Sequence, residues 1–280
     1  MPKATVNGIQ LAYEEYGRGF PLVLAHGITA TKEMWDAQVG PCSERYRVIV
    51  YDVLGHGESD APPVDDLGYA MDTLVEDQRA LMEYLGIEEA HVGGLSLGGM
   101  IAVRFALKHP QMLRSLLLCD TTAGMSTSGL WAANRPLMET LVRSQGVAAF
   151  MRNLYVQRAQ VATLPQAEAL PAGILAHVER LGRMSADGFL GASRAAGDQD
   201  SVFDRLSEIR APTLIVTGDG DFFRGASEQM KQRMPDARFV MIKGSLHGTC
   251  MWQPEKFTSA VLDFLADVDA GRPVARNEER

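Results

Sequence analysis

The chain has 280 residues, 46% of them hydrophobic and 22% charged, with a net charge of −8. Such a length holds two domains or one large α/β domain with an insertion, and it buries roughly three quarters of its unfolded surface without staples. The negative charge, with no run of Lys or Arg, argues against a nucleic-acid or anionic-membrane partner, and no apolar run approaches the ~20 residues that span a bilayer.

In chain order, the first elements read as a hairpin. Lys3 to Val6 and Ile9 to Tyr16 alternate around Asn7-Gly8, a pair that tolerates the positive φ of a tight turn. Pro21 to Ala25 is a continuous apolar run of the kind buried on both faces. Arg47 to Tyr51, His91 to Leu95, Ser115 to Cys119, Thr213 to Thr217 and the shorter Phe239 to Ile242 repeat that signature. Helical patterns lie between them. Met71, Leu74, Val75, Gln78, Leu81, Met82 and Leu85 trace one stripe, and Gly86 stands where a C-cap belongs. Leu97 to Lys108 predicts a helix stopped by Pro110, and Glu255 to Val268 predicts a last one. Buried strands alternating with helices mean a mostly parallel, twisted sheet with helices on both faces.

The rhythm breaks between 122 and 200, where β-branched runs give way to short helical patterns. The expected organisation is therefore a core of residues 1–121 and 201–280 with a helical cap at 122–200. The polar tail from Asp269 to Arg280 is expected to fray. Three cysteines (Cys42, Cys119 and Cys250) are odd in number and far apart, so no disulfide framework is expected. The N-terminus shows no basic head followed by an apolar run, and a cytoplasmic protein is expected.

The motif that carries chemistry is Gly94-Leu95-Ser96-Leu97-Gly98. Alone it is weak, but here the serine directly follows a predicted buried strand and directly precedes a predicted helix. Such a turn needs glycines for close backbone approach and presents the hydroxyl at the helix N-terminus. A serine nucleophile needs a base, and the base needs an orienting carboxylate, both expected at the ends of later strands. After Thr213 to Thr217 comes Gly218-Asp219-Gly220-Asp221, and after Phe239 to Ile242 comes Gly244-Ser245-Leu246-His247. Ser96, Asp221 and His247 are the candidate catalytic residues, in the chain order of an α/β-hydrolase triad. Asp219 competes with Asp221, and Asp120 at the end of Ser115 to Cys119 is a third candidate, read more readily as an N-cap or hinge residue.

With these pieces the chain resembles the α/β-hydrolase superfamily from about Lys3 to Val268. The resemblance rests on His26-Gly27-Ile28, on Tyr51-Asp52-Val53-Leu54-Gly55-His56-Gly57-Glu58-Ser59, on the Ser96 motif with Gly99-Met100, on Pro212 to Gly218 and on His247. Within the superfamily it is most similar to the 3-oxoadipate enol-lactonases and small bacterial carboxylesterases. The resemblance implies an α/β-hydrolase fold with a cap, and it selects Asp221 as the acid. It also implies an oxyanion hole from the backbone N–H groups of Ile28 and Leu97. His26 is expected to shape that loop and His56 to be structural, with no base role for either.

No H-E-x-x-H, C-x-x-C, P-loop or dinucleotide fingerprint occurs, so neither a metal nor a cofactor is expected. The expected partner is a small-molecule substrate, and a homodimer is left open. Trp35, Met125, Trp131 and Trp252 are candidate substrate-binding residues, with Met34, Met138, Phe150, Met151 and Phe189 as further pocket candidates. Seven Arg and six acidic residues between 122 and 200 leave room for an arginine that holds a substrate carboxylate. The activity expected is hydrolysis of a carboxylic ester or lactone of a small, partly apolar acid. Hydrolysis of a C–C or amide bond, or a perhydrolase reaction, would use the same residues. A ligand receptor on the same fold is the reading from a different class.

Overall fold

The computed structural model describes residues 1–64, 67–124, 135–153, 176–177, 180 and 184–280. Among the described residues, nine strands form a single sheet: β1 (Lys3–Val6), β2 (Ile9–Tyr16), β3 (Phe20–Ala25), β4 (Tyr46–Tyr51), β5 (Ala90–Leu95), β6 (Leu113–Cys119), β7 (Thr213–Gly218), β8 (Arg238–Ile242) and β9 (Asn277–Glu279). Their spatial order is β1-β2-β4-β3-β5-β6-β7-β8-β9, antiparallel at the β1–β2 and β2–β4 pairings and parallel elsewhere. Helices among the described residues include α1 (Asp36–Ser43), α2 (Met71–Tyr84), α3 (Leu97–Lys108), α4 (Arg135–Gln145), α5 (Ala186–Gly197), α6 (Arg224–Arg233), α7 (Thr249–Trp252) and α8 (Pro254–Asp269).

The predicted hairpin is present, with Asn7 and Gly8 at φ of +48° and +82°, as a tight turn between right-twisted strands requires. Each central strand sends alternate residues to opposite faces, so one apolar run serves two cores. In β3, Val23 and Ala25 join a core with Leu74 and Leu81 of α2 and Ile101 and Phe105 of α3. Leu22 and Leu24 join a second core with Trp35, Cys42 of α1, and Phe257 and Phe264 of α8. A third cluster sits above the strand ends, where Met138 and Val142 of α4, Met151, and Phe189 and Leu190 of α5 pack on Leu246 and Trp252. The helical character expected between 122 and 200 is present at 135–145, 147–153 and 186–197.

The tail departs from expectation. Residues Asn277 to Glu279 do not fray; they add an edge strand parallel to β8. Backbone bonds hold it, from Phe239 N–H to the Arg276 carbonyl at 2.8 Å and from Arg280 N–H to the Met241 carbonyl at 2.9 Å. Arg280 reaches Asp263 at 2.9 Å and Ser259 at 2.9 Å on α8. Main-chain pairing and ion pairs leave no hydrophobic period, which is why a polar sequence conceals the strand. None of the helices among the described residues is long and apolar enough to cross a membrane.

Candidate functional site

Parallel sheets place their sites beyond the C-terminal ends of the strands. Here Ser96 follows β5, Asp120 follows β6, Asp221 follows β7 and His247 follows β8. Ser96 adopts φ +57° and ψ −114°, a conformation rare outside glycine. Its surroundings hold that strain in place. The Ser96 N–H donates to the Cys119 carbonyl at 3.0 Å, and the Ser96 carbonyl accepts from the Thr121 hydroxyl at 2.6 Å and the Met100 N–H at 3.0 Å.

The flanking glycines allow chain-on-chain contact. A Cβ at Gly98 would stand 2.1 Å from the Ala25 carbonyl oxygen, and one at Gly94 would stand 2.3 Å from the Gly98 carbonyl carbon. Both obstacles are backbone, so neither moves cheaply. Gly98→Ala is expected to destabilise the fold by about 2–4 kcal/mol, since overpacking outweighs the helix propensity that alanine adds. Thermal unfolding checks it, and an unchanged midpoint would show that β3 and α3 can separate here without cost.

The two expected backbone donors are held in the same manner. The Gly27 carbonyl accepts from His26 Nδ1 at 2.8 Å and from the Ala30 N–H at 2.9 Å. A peptide is planar and trans, so fixing this carbonyl fixes the Ile28 N–H pointing the other way. The bonds to the Ser96 carbonyl fix the Leu97 N–H likewise, and as the first residue of α3 Leu97 has no helical carbonyl to donate to. Gly27 lies against Ser96, since a Cβ built on it would be 3.2 Å from the Ser96 Cβ.

His26 accepts the Val53 N–H at Nε2 (3.0 Å), and burial keeps its ring well below the usual imidazole range. His56 meets the Ile28 carbonyl at 2.5 Å and the Leu54 carbonyl at 3.1 Å. Both rings are therefore committed to loop backbone. Beneath them, buried Lys32 pairs with buried Asp52 at 3.2 Å, and Asp52 also accepts the N–H groups of Lys32 and Glu58.

His247 Nδ1 lies 2.6 Å from Asp221 Oδ2, and Asp221 Oδ1 accepts the Phe223 N–H. The imidazole ring packs on Phe222, centroids 4.2 Å apart, with Phe223 edge-on at 5.7 Å. Of the three acids raised by the sequence, Asp221 is the one that meets the imidazole. Asp219 accepts the Ser245 N–H at 3.2 Å and holds the base of the loop. Asp120 receives four donors from the neighbouring loops.

Carboxylate oxygens of Asp120 and Asp221 and a ring nitrogen of His247 lie within 4.8 Å of one another, a spacing open to a cation. The hydrogen-bond donors aimed at both Asp120 oxygens present the wrong polarity for one.

Ser96, His247 and Ile28 open on one cavity of about 70 Å³, walled by Met34, Phe150, Met151, Phe189, Phe222 and Met251. His177 also lines it, with its imidazole pushed down to about 4 by burial and by Arg180. A larger cavity of about 860 Å³, between α2, α3 and α5, shares no lining residue with it.

Two substrate-binding expectations are corrected. Trp35 lies in the core below the sheet, its ring 6.1 Å from Phe257, and Met34 beside it lines the cavity instead. Trp252 stands behind the His247 loop, where its indole N–H donates to the His247 carbonyl at 3.0 Å, and Met251 lines the cavity. Each tryptophan is a large buried ring, and the methionine directly before it in sequence lines the cavity. Met125 and Trp131 lie outside the described residues. Met138 is in the cluster above the strand ends, while Met34, Phe150, Met151 and Phe189 do line the cavity.

Phe222, Thr29 and Met251 were not anticipated; the first had a signal, standing next to the acid in sequence. Among the described arginines of the 122–200 segment, Arg135, Arg143 and Arg180 pair with carboxylates outside the cavity.

A profile of the α/β hydrolase fold matches residues 21–254. The chain belongs to the α/β-hydrolase family. Within it, the chain is 30% identical over 275 residues to the 2-hydroxy-6-oxononadienedioate/2-hydroxy-6-oxononatrienedioate hydrolase of Paraburkholderia xenovorans, covering 92% of this chain and 91% of that one. It is 26% identical over 249 residues to 3-oxoadipate enol-lactonase 1 of Acinetobacter baylyi, covering 88% and 89%. Among solved structures, a thermophilic esterase from Thermogutta terrifontis superposes with a TM-score of 0.85 at 30% identity, covering 95% of this chain and 98% of that one. These α/β-hydrolase relatives are all hydrolases by name or title, and this chain reads as a hydrolase with them.

Proposed function

We propose that this α/β hydrolase is a serine hydrolase that cleaves a carboxylic ester or lactone of a short, apolar acid through an acyl-enzyme, by a route that requires no cofactor. The observation that carries the reading is the His247–Asp221 bond of 2.6 Å, made by an imidazole that shares its cavity with Ser96. A carboxylate accepting from Nδ1–H leaves Nε2 without a proton, the tautomer a general base needs.

Ser96 Oγ then attacks the carbonyl carbon while His247 takes its proton. The carbonyl electrons move onto oxygen, which the Ile28 and Leu97 N–H groups receive. Collapse of the tetrahedral intermediate expels the alcohol, to which His247 returns the proton. Water, deprotonated by His247, releases the acid and restores Ser96. The thioether and phenyl walls of Met34, Met151, Met251, Phe150 and Phe189 favour a neutral hydrocarbon acyl group. The likeness to an enol-lactonase and an esterase supports the bond type.

A second reading follows from the 30% identity to the Paraburkholderia xenovorans hydrolase: the same three residues would cleave a hydroxy-oxo-dienedioate. Intact mass after a fluorophosphonate probe, with a panel of short aryl esters, lactones and hydroxy-oxo-dienedioates, separates the two. One probe adduct and a kcat/KM for short neutral esters or lactones at least about tenfold above the dienedioates are expected, the discrimination a shaped apolar pocket supplies. A folded protein that takes no adduct, or one that prefers dienedioates, would overturn the ester reading.

A further inference from the structure

Three consecutive residues at the end of β6 hold the Ser96 backbone and join the loops that carry Asp221 and His247. Cys119 and Thr121 hold the Ser96 backbone, the first through its carbonyl at 3.0 Å and the second through its hydroxyl at 2.6 Å. Asp120, between them, is fully buried and holds a φ of +43°, unusual for a residue with a side chain. Its Oδ1 accepts the Gly218 N–H at 3.1 Å and the Thr249 hydroxyl at 2.8 Å. Its Oδ2 accepts the Gly248 N–H at 3.0 Å and the Thr249 N–H at 2.6 Å.

Gly218 opens the turn that carries Asp221, whereas Gly248 and Thr249 directly follow His247. One carboxylate thus binds the acid turn to the base loop. A carboxylate offers about four lone-pair directions, and four donors fill them. None is left for the imidazole.

We propose that Asp120 is a positioning residue for the hydrolytic step, clamping the Asp221 turn to the His247 loop while its charge stands as a second carboxylate beside the imidazole. The proposal rests on the reading of Ser96, Asp221 and His247 as the hydrolytic machinery. The groups that face Asp120 are few. Burial and the charge of Asp221 push its carboxyl up to about 7, against the opposing pull of His247 and of the Thr249 donors. The thiols of Cys119 and Cys250 are raised well above their usual range by burial and by Asp120 itself, so both stay neutral.

As pH falls through neutrality, Asp120 loses its charge. The acid limb of the rate profile therefore includes its protonation. Removing the Asp120 carboxyl removes that protonation and leaves the imidazolium with one carboxylate instead of two. The acid limb then moves to lower pH.

Asp120→Asn tests this with little change of shape. Its amide nitrogen fits best on the Oδ1 side, where the Thr249 hydroxyl can turn to accept and only the Gly218 N–H loses its partner. Expected are a kcat lower by about 10- to 100-fold, as small displacements of reacting groups produce, and a KM within about twofold. The acid limb is expected to shift down by about half a unit or more. A fold contact alone would lower the melting temperature but would not move that limb.

If Asp120→Asn fails to fold, Thr249→Val decides. It removes one hydroxyl bond to the carboxylate, and a several-fold loss in kcat at constant KM is expected. Ser96→Ala is measured in parallel. If Ser96→Ala keeps turnover, the hydrolytic reading falls and the clamp with it. If Ser96→Ala is inactive while a folded Asp120→Asn keeps kcat within twofold and an unmoved acid limb, the positioning role alone is overturned. Unchanged kcat in Thr249→Val, where Asp120→Asn is unfolded, overturns it equally.

Discussion

Ser96→Ala is expected to lower kcat for ester hydrolysis by roughly 10⁴- to 10⁶-fold and to abolish the fluorophosphonate adduct, because no other group can form the acyl bond. The loss falls on kcat far more than on KM. Met34, Phe150, Met151 and Phe189 shape the cavity and remain in place, and the Ile28 and Leu97 amides do not depend on the serine side chain. The residual rate should still exceed that in water, since backbone donors and binding contribute without the nucleophile. The fold should hold. The bonds that stabilise the left-handed turn run through the backbone of Ser96 and not through Oγ. Intact mass and initial rates on one ester settle it; an alanine variant with a turnover within tenfold of the parent would remove Ser96 from the reaction.

Asp221→Asn carries the second large effect, about 10⁴-fold in kcat with KM little changed. The direction follows from the second partner of the carboxylate. Asp221 Oδ1 accepts the Phe223 N–H, so an asparagine would place its oxygen there and its NH₂ group against His247 Nδ1. Two donors cannot share that contact, so the imidazole takes the tautomer protonated at Nε2. The base then holds its proton on the side where it should accept one. The side chain keeps its size and its backbone bond, so thermal stability should stay near that of the parent. A kcat within tenfold of the parent would assign the orienting role elsewhere, with Asp120 as the adjoining carboxylate to examine next.

The Asp221 and Asp120 substitutions also separate orienting the imidazole from positioning its loop. Asp221→Asn changes which nitrogen carries the proton. Asp120→Asn leaves the Nδ1 partner in place and alters charge and loop register. The first should leave almost no turnover at neutral pH, whereas the second should leave a weakened enzyme with a displaced acid limb.

Much of this organisation was legible before any coordinates. Asn7-Gly8 announced a hairpin, and the apolar runs at Pro21 to Ala25 and Thr213 to Thr217 announced buried parallel strands. Gly94-Leu95-Ser96-Leu97-Gly98 announced a strand-to-helix turn, with Ser96 itself buried there. Each of these features is local: a turn needs positive φ within two residues, a buried strand needs apolar side chains along itself, and the serine turn needs small residues at fixed offsets. The placement of Ser96, Asp221 and His247 after successive strands was readable too, because parallel strands bring their C-terminal ends to one edge of the sheet.

Tertiary structure alone decided the rest, in each case because the deciding contact spans a long stretch of chain. Asp219 and Asp221 are two residues apart and equal in chemistry; which one meets His247 depends on how the β7 and β8 loops face each other. Trp35 and Trp252 offered aromatic surface, yet Met34 and Met251 beside them line the cavity, because the direction of a side chain is set by the packing of its neighbours. The edge strand β9 is written in charged residues and is held by main-chain bonds, which have no sequence signature. Asp120 is the plainest instance. Its four donors come from Gly218, Gly248 and Thr249, about 100 to 130 residues further along, and three of the four are backbone N–H groups that every residue but proline carries. Side-chain chemistry written along the chain determined which residues could react; the folding of distant loops onto one buried carboxylate decided how they are held.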